Sequence, residues 1–217
     1  MQSLNHLVAA GKVLYLGISD APAWVVSKAN EYARAHGLRQ FSVYQGLYSA
    51  ATRDLERDVL PMCRAEGMGI TPWGALGGGK FKTEAQRAAQ EGRQVNLTEK
   101  DVNVSKVLES VANRKNTSIT SVAMAYAMQK TAYVFPIIGG RKVEHLKGNI
   151  EALTLELTKD EIKEIEGAYN FELGFPHSML WGTEVPDHEG KVGFVGMGGA
   201  YDPVPHPQVR SHESCKF

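Results

Sequence analysis

The chain has 217 residues, enough for one domain with a real core. Lysine plus arginine number 24 and aspartate plus glutamate 24, so no electrostatic asymmetry points to nucleic acid or an anionic membrane. Two cysteines, Cys63 and Cys215, make neither a disulfide framework nor a metal quartet, and they fit a reducing compartment. No run reaches the apolar length of a membrane span, and MQSLNHLVAAG lacks the apolar core of a signal peptide. These readings predict a cytoplasmic α/β protein.

Residues 2–10 read as the end of a helix stopped at Gly11, an element that normally has something before it. Val13–Ile18 is a mostly apolar strand of the kind buried in parallel sheets. Pro22 suits a first helical turn, Trp24–His36 a helix and Gly37 its stop. Phe41–Gln45 is a second short strand. Asp54–Glu66 follows as one helix, for which Thr52 is the better capping candidate. Met68–Pro72 is a third strand, leading into WGALGGGKF. Residues 80–102 are polar and read as a partly mobile excursion over the sheet edge. Asn103–Asn113 and Ser118–Gln129 are helical.

Tyr133–Ile138 reads as a fourth, buried strand ended by Gly139 and Gly140, with Arg141 and Lys142 beside the turn. A helix then opens with Val143, Leu146 and Ile150 on one face. A glycine turn from strand to helix leaves backbone N–H groups free for an anion, although such turns are also common on plain surfaces. Thr158 caps a last helix, and Glu161 completes a capping box. From Phe171 the chain is dense in glycine, proline and histidine and reads as a long loop, a packing arm or disorder. His177, His188, His206 and His212 specify no tetrahedral site by their spacing, and no metal is expected.

The alternation of strand and helix four times over means helices covering a parallel sheet. Four such units are half of an eight-unit barrel or part of an open doubly wound sheet, and composition does not separate the two.

Three pieces carry a family resemblance: LVAAGKVLYLGISD (7–20), VYQGLYSAATRDLERDVLPMCRAEGMGITPWGALGGGKF (43–81) and VFPIIGGRKVEHLKGNIEA (134–152). In this order they resemble the aldo-keto reductases, and within them the fungal aryl-alcohol dehydrogenase and norsolorinic-acid-reductase-like group. The resemblance implies part of a (β/α)8 TIM barrel, strands five to eight with their helices, over residues 1–170, followed by an irregular tail, 171–217. It implies NADPH as cofactor and an aromatic aldehyde, ketone or aryl alcohol as substrate. The catalytic Asp, Tyr, Lys and His of the family lie in its first four units, which have no counterpart here. His6 lies in the wrong place, so no catalytic residue is assigned. The alternative is a catalytically inactive half-barrel remnant or interaction protein.

By the same resemblance, Ser19 and Asp20 fall where the family has a Ser-Asn pair on the nicotinamide carboxamide, and Gln45 is a further carboxamide partner. Asp20 is a departure, since a carboxylate accepts but cannot donate. Without the family, Ser19 and Asp20 are ordinary helix-capping residues. Trp73 takes the place of the ring that stacks on the nicotinamide, or is core packing. Gly74, Leu76, Gly77, Gly78 and Lys80, with Gly79 beside them, belong to the loop that wraps the pyrophosphate, and the glycines equally suit a hinge. Gly139, Gly140 and Arg141 resemble the turn that meets the 2′-phosphate, where a guanidinium selects NADPH over NADH. His145 and Asn149, one helical turn apart, approach the adenine in the family and otherwise form a solvated face. Tyr44 and Tyr48 are candidate liners of an aromatic-substrate pocket. Uncovered edges on the Val13 and Tyr133 strands predict a homodimer or association with a complementary N-terminal half. In a second view the tail folds back over the open face through Phe175, Met179, Leu180, Trp181, Val192 and Phe194.

Overall fold

Three of the four predicted strands form and pair in parallel. β1 (Leu16–Ser19), β2 (Phe41–Leu47) and β3 (Gly69–Trp73) make one sheet in that order. Ser19 lies level with Gln45, and Gln45 with Thr71, so the C-terminal ends of all three strands reach one rim. The computed structural model describes residues 1–90, 92–183, 197–199, 207 and 209.

The fourth segment is a correction. Tyr133–Ile138 runs parallel beside β3 and is tied to it by three backbone hydrogen bonds: Ile70 N–H to Tyr133 O, Phe135 N–H to Ile70 O and Ile137 N–H to Pro72 O. Only Val134 completes a bridge, with Ile70. A strand paired on one side only is easily interrupted, and Pro136 has no N–H to give to a ladder. The same reason shortens the start of the first strand. Pairing begins at Leu16 opposite Phe41, and Leu14 and Tyr15 stand about 80% exposed.

The helices follow the sheet in chain order: α1 (Gln2–Ala9), α2 (Ala23–Ala35), α3 (Val59–Glu66), α4 (Glu84–Ala88), α5 (Glu99–Arg114), α6 (Ile119–Gln129), α7 (Val143–Glu151), α8 (Lys159–Glu166) and α9 (His177–Trp181). The sheet, α2 and α3 share a core of Leu16, Val26, Tyr44, Leu60, Cys63, Met68, Ile70 and Val134. A second core lies among α5, α6 and α8, built on Val104, Leu108, Val111, Val122, Tyr126 and Ile165. Asn30, fully buried on α2, joins sheet and helices. Its amide donates to Phe41 O and accepts from Phe41 N–H, satisfying the backbone at the start of β2.

Local capping chemistry appears where the sequence carried it and twice where it was not read. Thr158 and Glu161 form the expected capping box on α8. The polar stretch 80–102 contains two more, Thr83 with Gln86 on α4 and Thr98 with Asp101 on α5, which therefore begins at Glu99 rather than Asn103. The helix expected over Asp54–Glu66 is divided into a 3-10 turn, Asp54–Glu56, and α3. Thr52 is not a cap, because its backbone exchanges hydrogen bonds with Ser49.

A buried ionic cluster accounts for the division. Glu56 accepts from Arg53 Nε and Nη2, each at 2.8 Å, and from Tyr48 Oη at 3.0 Å. Glu166 of α8 accepts from Tyr126 and pairs with Arg53 and Lys130. Holding Glu56 inward toward Arg53 suits a tight three-residue turn and not the first turn of a helix whose N-cap is Asp58.

The tail is not wholly irregular. Phe171 lies against the guanidinium groups of both Arg53 and Arg57, Arg57 donates twice to Glu172 O, and Leu173 is buried. The one-turn helix α9 follows, with His177 Nε2 2.9 Å from Asp58. Phe175 and Met179, expected to cover the open face, are exposed. Val192, Phe194, His188, His206 and His212 lie outside the described residues.

Candidate cofactor cleft

The rim at the C-terminal strand ends is built by β1, β2 and β3. Ser19 ends β1, and Asp20 follows with φ +51°, a left-handed backbone conformation that aspartate tolerates better than most residues. The Asp20 N–H donates to Gln45 O, locking the turn to β2. The Asp20 carboxylate accepts from Ser19 Oγ at 2.7 Å through one oxygen and from Trp73 Nε1 at 3.3 Å through the other. Trp73, the last residue of β3, is 42% exposed. Ser19, Asp20, Gln45 and Trp73 are therefore neighbours at this rim.

Beyond Trp73 the chain turns through a run of left-handed glycines. At Gly77 (φ +75°) a Cβ would come 2.6–2.9 Å from the ring of Phe81, which fills the space beneath the loop. Gly78 (φ +60°) has nothing within 4 Å of the position a Cβ would occupy, so its backbone is open to close approach. Across from this loop, Gly140 allows no Cβ either, because His145 Cβ lies 2.7 Å from that position. Arg141 N–H donates to His145 Nδ1 at 3.3 Å, folding the turn onto the first turn of α7.

A cavity of about 1160 Å³ lies between these two glycine turns. Of the predicted residues, Gly74, Leu76, Gly78, Gly139, Gly140, Arg141, His145 and Asn149 line it. Gly77 supports the loop from behind. Lys80 is not a lining residue: its ammonium pairs with both oxygens of Asp101, 3.1 and 3.2 Å away, at the start of α5. The Asp101 carboxyl is opposed by its burial, but hydrogen bonds from the Thr98 backbone and hydroxyl and the Lys80 ammonium outweigh that and hold it below the usual range.

Lys82, Arg93 and Lys142 line the cavity beside Arg141, and Lys82 Nζ donates to Arg93 O. Arg93 escaped the sequence reading because its approach to Gly79 depends on the path of the whole polar excursion. Ser118 and Thr120, at the N-terminus of α6, add hydroxyls to the far wall. Neither candidate tyrosine lines this cavity. Tyr44 Oη donates to Ala21 O, and Tyr48 is fully buried against Glu56, with burial pushing its phenol far up.

The donor set suits a dinucleotide phosphate. Four cationic side chains line one cavity, and glycines from two turns line it with no side chain of their own. A flat ring and three polar side chains stand at the sheet rim beside it. Among the described residues no group of three or more His, Cys, Asp or Glu could hold a metal ion, and no helix is long and apolar enough to cross a membrane.

The aldo/keto reductase family profile matches residues 1–170. The norsolorinic acid reductase B of Dothistroma septosporum is 59% identical over 188 residues, which are 84% of this chain and 48% of that protein. An aryl-alcohol dehydrogenase of Pestalotiopsis microspora is 51% identical over 216 residues, 98% of this chain and 56% of that one. The chain thus spans about half the length of the curated relatives it matches. A solved structure of a thermostable aldo-keto reductase shares the fold, with a TM-score of 0.59 at 22% identity over 77% of this chain and 53% of that one. The chain belongs to the aldo/keto reductase family.

Proposed function

We propose that this chain is the cofactor-side half of an NADPH-dependent aldo-keto reductase barrel, corresponding to strands five to eight, acting on aromatic aldehydes, ketones or aryl alcohols. The observation that carries the reading is the cavity in which the two glycine turns meet Arg141 and Lys142. A guanidinium and an ammonium there pair with the 2′-phosphate that distinguishes NADPH from NADH. His145 and Asn149 on α7 flank the adenine, and the Gly77–Gly79 loop with Lys82 and Arg93 follows the pyrophosphate. Ser19, Asp20 and Gln45 orient the carboxamide while Trp73 backs the ring. When bound, the nicotinamide supplies the hydride. We assign no general acid within the chain, so the proton for a carbonyl oxygen comes from a group outside it.

The reading is tested by calorimetry with NADPH and NADH on the wild type and Arg141→Ala. The wild type should prefer NADPH by about tenfold or more, the scale of a charge-assisted phosphate contact, and the variant should lose that preference. Equal affinity for both cofactors in the wild type would sink the assignment. The chain alone, mixed with NADPH and an aromatic aldehyde, should show no turnover above buffer.

A second observation favours association. Tyr133, Phe135 and Ile137 alternate outward on the last sheet segment, and Val143, Leu146 and Ile150 are exposed on α7, which has no buried residue. Together with the outer edge of β1, which pairs with no strand among the described residues, these surfaces suit a second copy or a complementary N-terminal half. The non-enzymatic reading, a half-barrel remnant or interaction protein, rests on the same surfaces.

A further inference from the structure

We infer that Asp20 selects the charge of the ring bound over Trp73, favouring the oxidised, cationic nicotinamide and disfavouring a nicotinate head; this rests on the cofactor reading above. A Ser-Asn pair would offer the carboxamide both donors and acceptors. Here the Ser19 hydroxyl proton is committed to Asp20 Oδ2. Asp20 itself only accepts, so both residues present lone pairs alone. The amide of Gln45, level with Ser19 in the sheet, is left as the donor for the carboxamide oxygen. This set of acceptors plus one donor matches an amide and opposes a carboxylate.

The charge is also fixed in place. Asp20 is held by Ser19 on one oxygen and by the indole N–H of Trp73 on the other, on a backbone already set in the left-handed region by its bond to Gln45 O. The carboxylate therefore sits at the edge of the Trp73 ring. A ring stacked on the exposed indole face lies about 3.5–4 Å above it and so within about 6 Å of the carboxylate. At that range, in a half-solvated site, a full positive charge is favoured over a neutral ring by about five- to tenfold in affinity. Asp20 thus acts as a specificity determinant through a fixed charge, and as a positioning residue for Trp73.

Asp20→Asn tests the charge with little change in shape. Asparagine tolerates the left-handed backbone and keeps an oxygen for the Trp73 N–H, but it is neutral. Asp20→Ala removes both functions. Dissociation constants for NADP+, NADPH and the deamido cofactor, nicotinic acid adenine dinucleotide phosphate, are measured on the full chain. The Trp73 indole N–H resonance, assigned by its loss in Trp73→Phe, is recorded without ligand. The Asn variant should lower the NADP+ to NADPH affinity ratio about fivefold and narrow the gap between NADP+ and the deamido form. Its indole resonance should stay near the wild-type position, while Asp20→Ala moves it. An unchanged affinity ratio in a variant that binds both cofactors overturns the charge role and leaves the cofactor reading standing. An indole resonance unmoved in Asp20→Ala overturns the positioning role. Failure of the wild type to bind any of the three defeats the cofactor reading, and this inference with it.

Discussion

Removing the Glu56 carboxylate should cost more than any other single change in the loop after β2. Its oxygens take hydrogen bonds from Tyr48 Oη and from two nitrogens of Arg53, and Lys130 Nζ lies 3.8 Å away. Tyr48, Arg53 and Glu56 are all buried, so water cannot replace what is lost. In Glu56→Ala the phenol has no acceptor, which costs about 1–3 kcal/mol. Arg53 keeps the Glu166 carboxylate, 3.4 Å away, and the face of Phe171, and breaking a buried pair from one side costs about 3–5 kcal/mol. The two losses share one carboxylate and overlap, giving about 4 kcal/mol in total. With a urea dependence of about 2 kcal/mol per molar, the midpoint should fall by about 2 M. The triple variant Tyr48→Phe, Arg53→Met, Glu56→Leu, which removes the polar groups together, should recover about half of that loss. Urea titrations by circular dichroism measure all three proteins. A fall below about 0.5 M for Glu56→Ala, or a triple variant no more stable than the single one, would refute the account of this cluster as mutually dependent.

Gly77→Ala should destabilise by about 2 kcal/mol, since it combines a left-handed backbone with a contact into the buried Phe81 ring, and thermal melts should show it. Asp101→Asn should show a loss that depends on pH. The folded carboxyl titrates below its unfolded value, so its stabilisation is complete above about pH 4 and disappears as pH falls through the folded value. The variant should be about 1–2 kcal/mol less stable than the wild type at pH 7, and the gap should narrow as pH falls below about 4, in parallel urea titrations; a difference that does not shrink would argue against the titration. Light scattering on the full chain should find a species of two copies, and a stable monomer at micromolar concentration would rule out association through the open edges.

Elements written in local chemistry were the legible ones. Thr158 with Glu161, the stop at Gly37 and the apolar start of β2 depend on residues within a turn or two of each other, and they stand as read. The reading failed where a distant partner decides. Asp54–Glu66 carries helical spacing throughout, but Arg53 draws Glu56 inward and the helix waits until Val59. Tyr133–Ile138 has strand composition, yet with β3 alone beside it only Val134 completes a bridge. The two capping boxes at Thr83 and Thr98 were visible as Thr-x-x-Gln and Thr-x-x-Asp, and the polar setting hid them. In the cleft, the turn at Gly139, Gly140 and Arg141 is marked by local pattern, and the Gly77–Gly79 loop by the family resemblance. Nothing near Lys80 in sequence shows that Asp101 captures its ammonium.

That Lys80–Asp101 contact has an architectural consequence. The excursion between them leaves β3 and returns to α5 at nearly the same place, because Lys80 binds Asp101 through its side chain and Ser105 Oγ through its carbonyl. With its two feet pinned together, the span between Phe81 and Thr98 can change length without moving the sheet. Each doubling of such a span adds only about 0.6 kcal/mol of closure entropy. The segment is therefore a socket in the architecture: a place where one relative can carry a short wall over the cleft and another a long one, on an unchanged foundation.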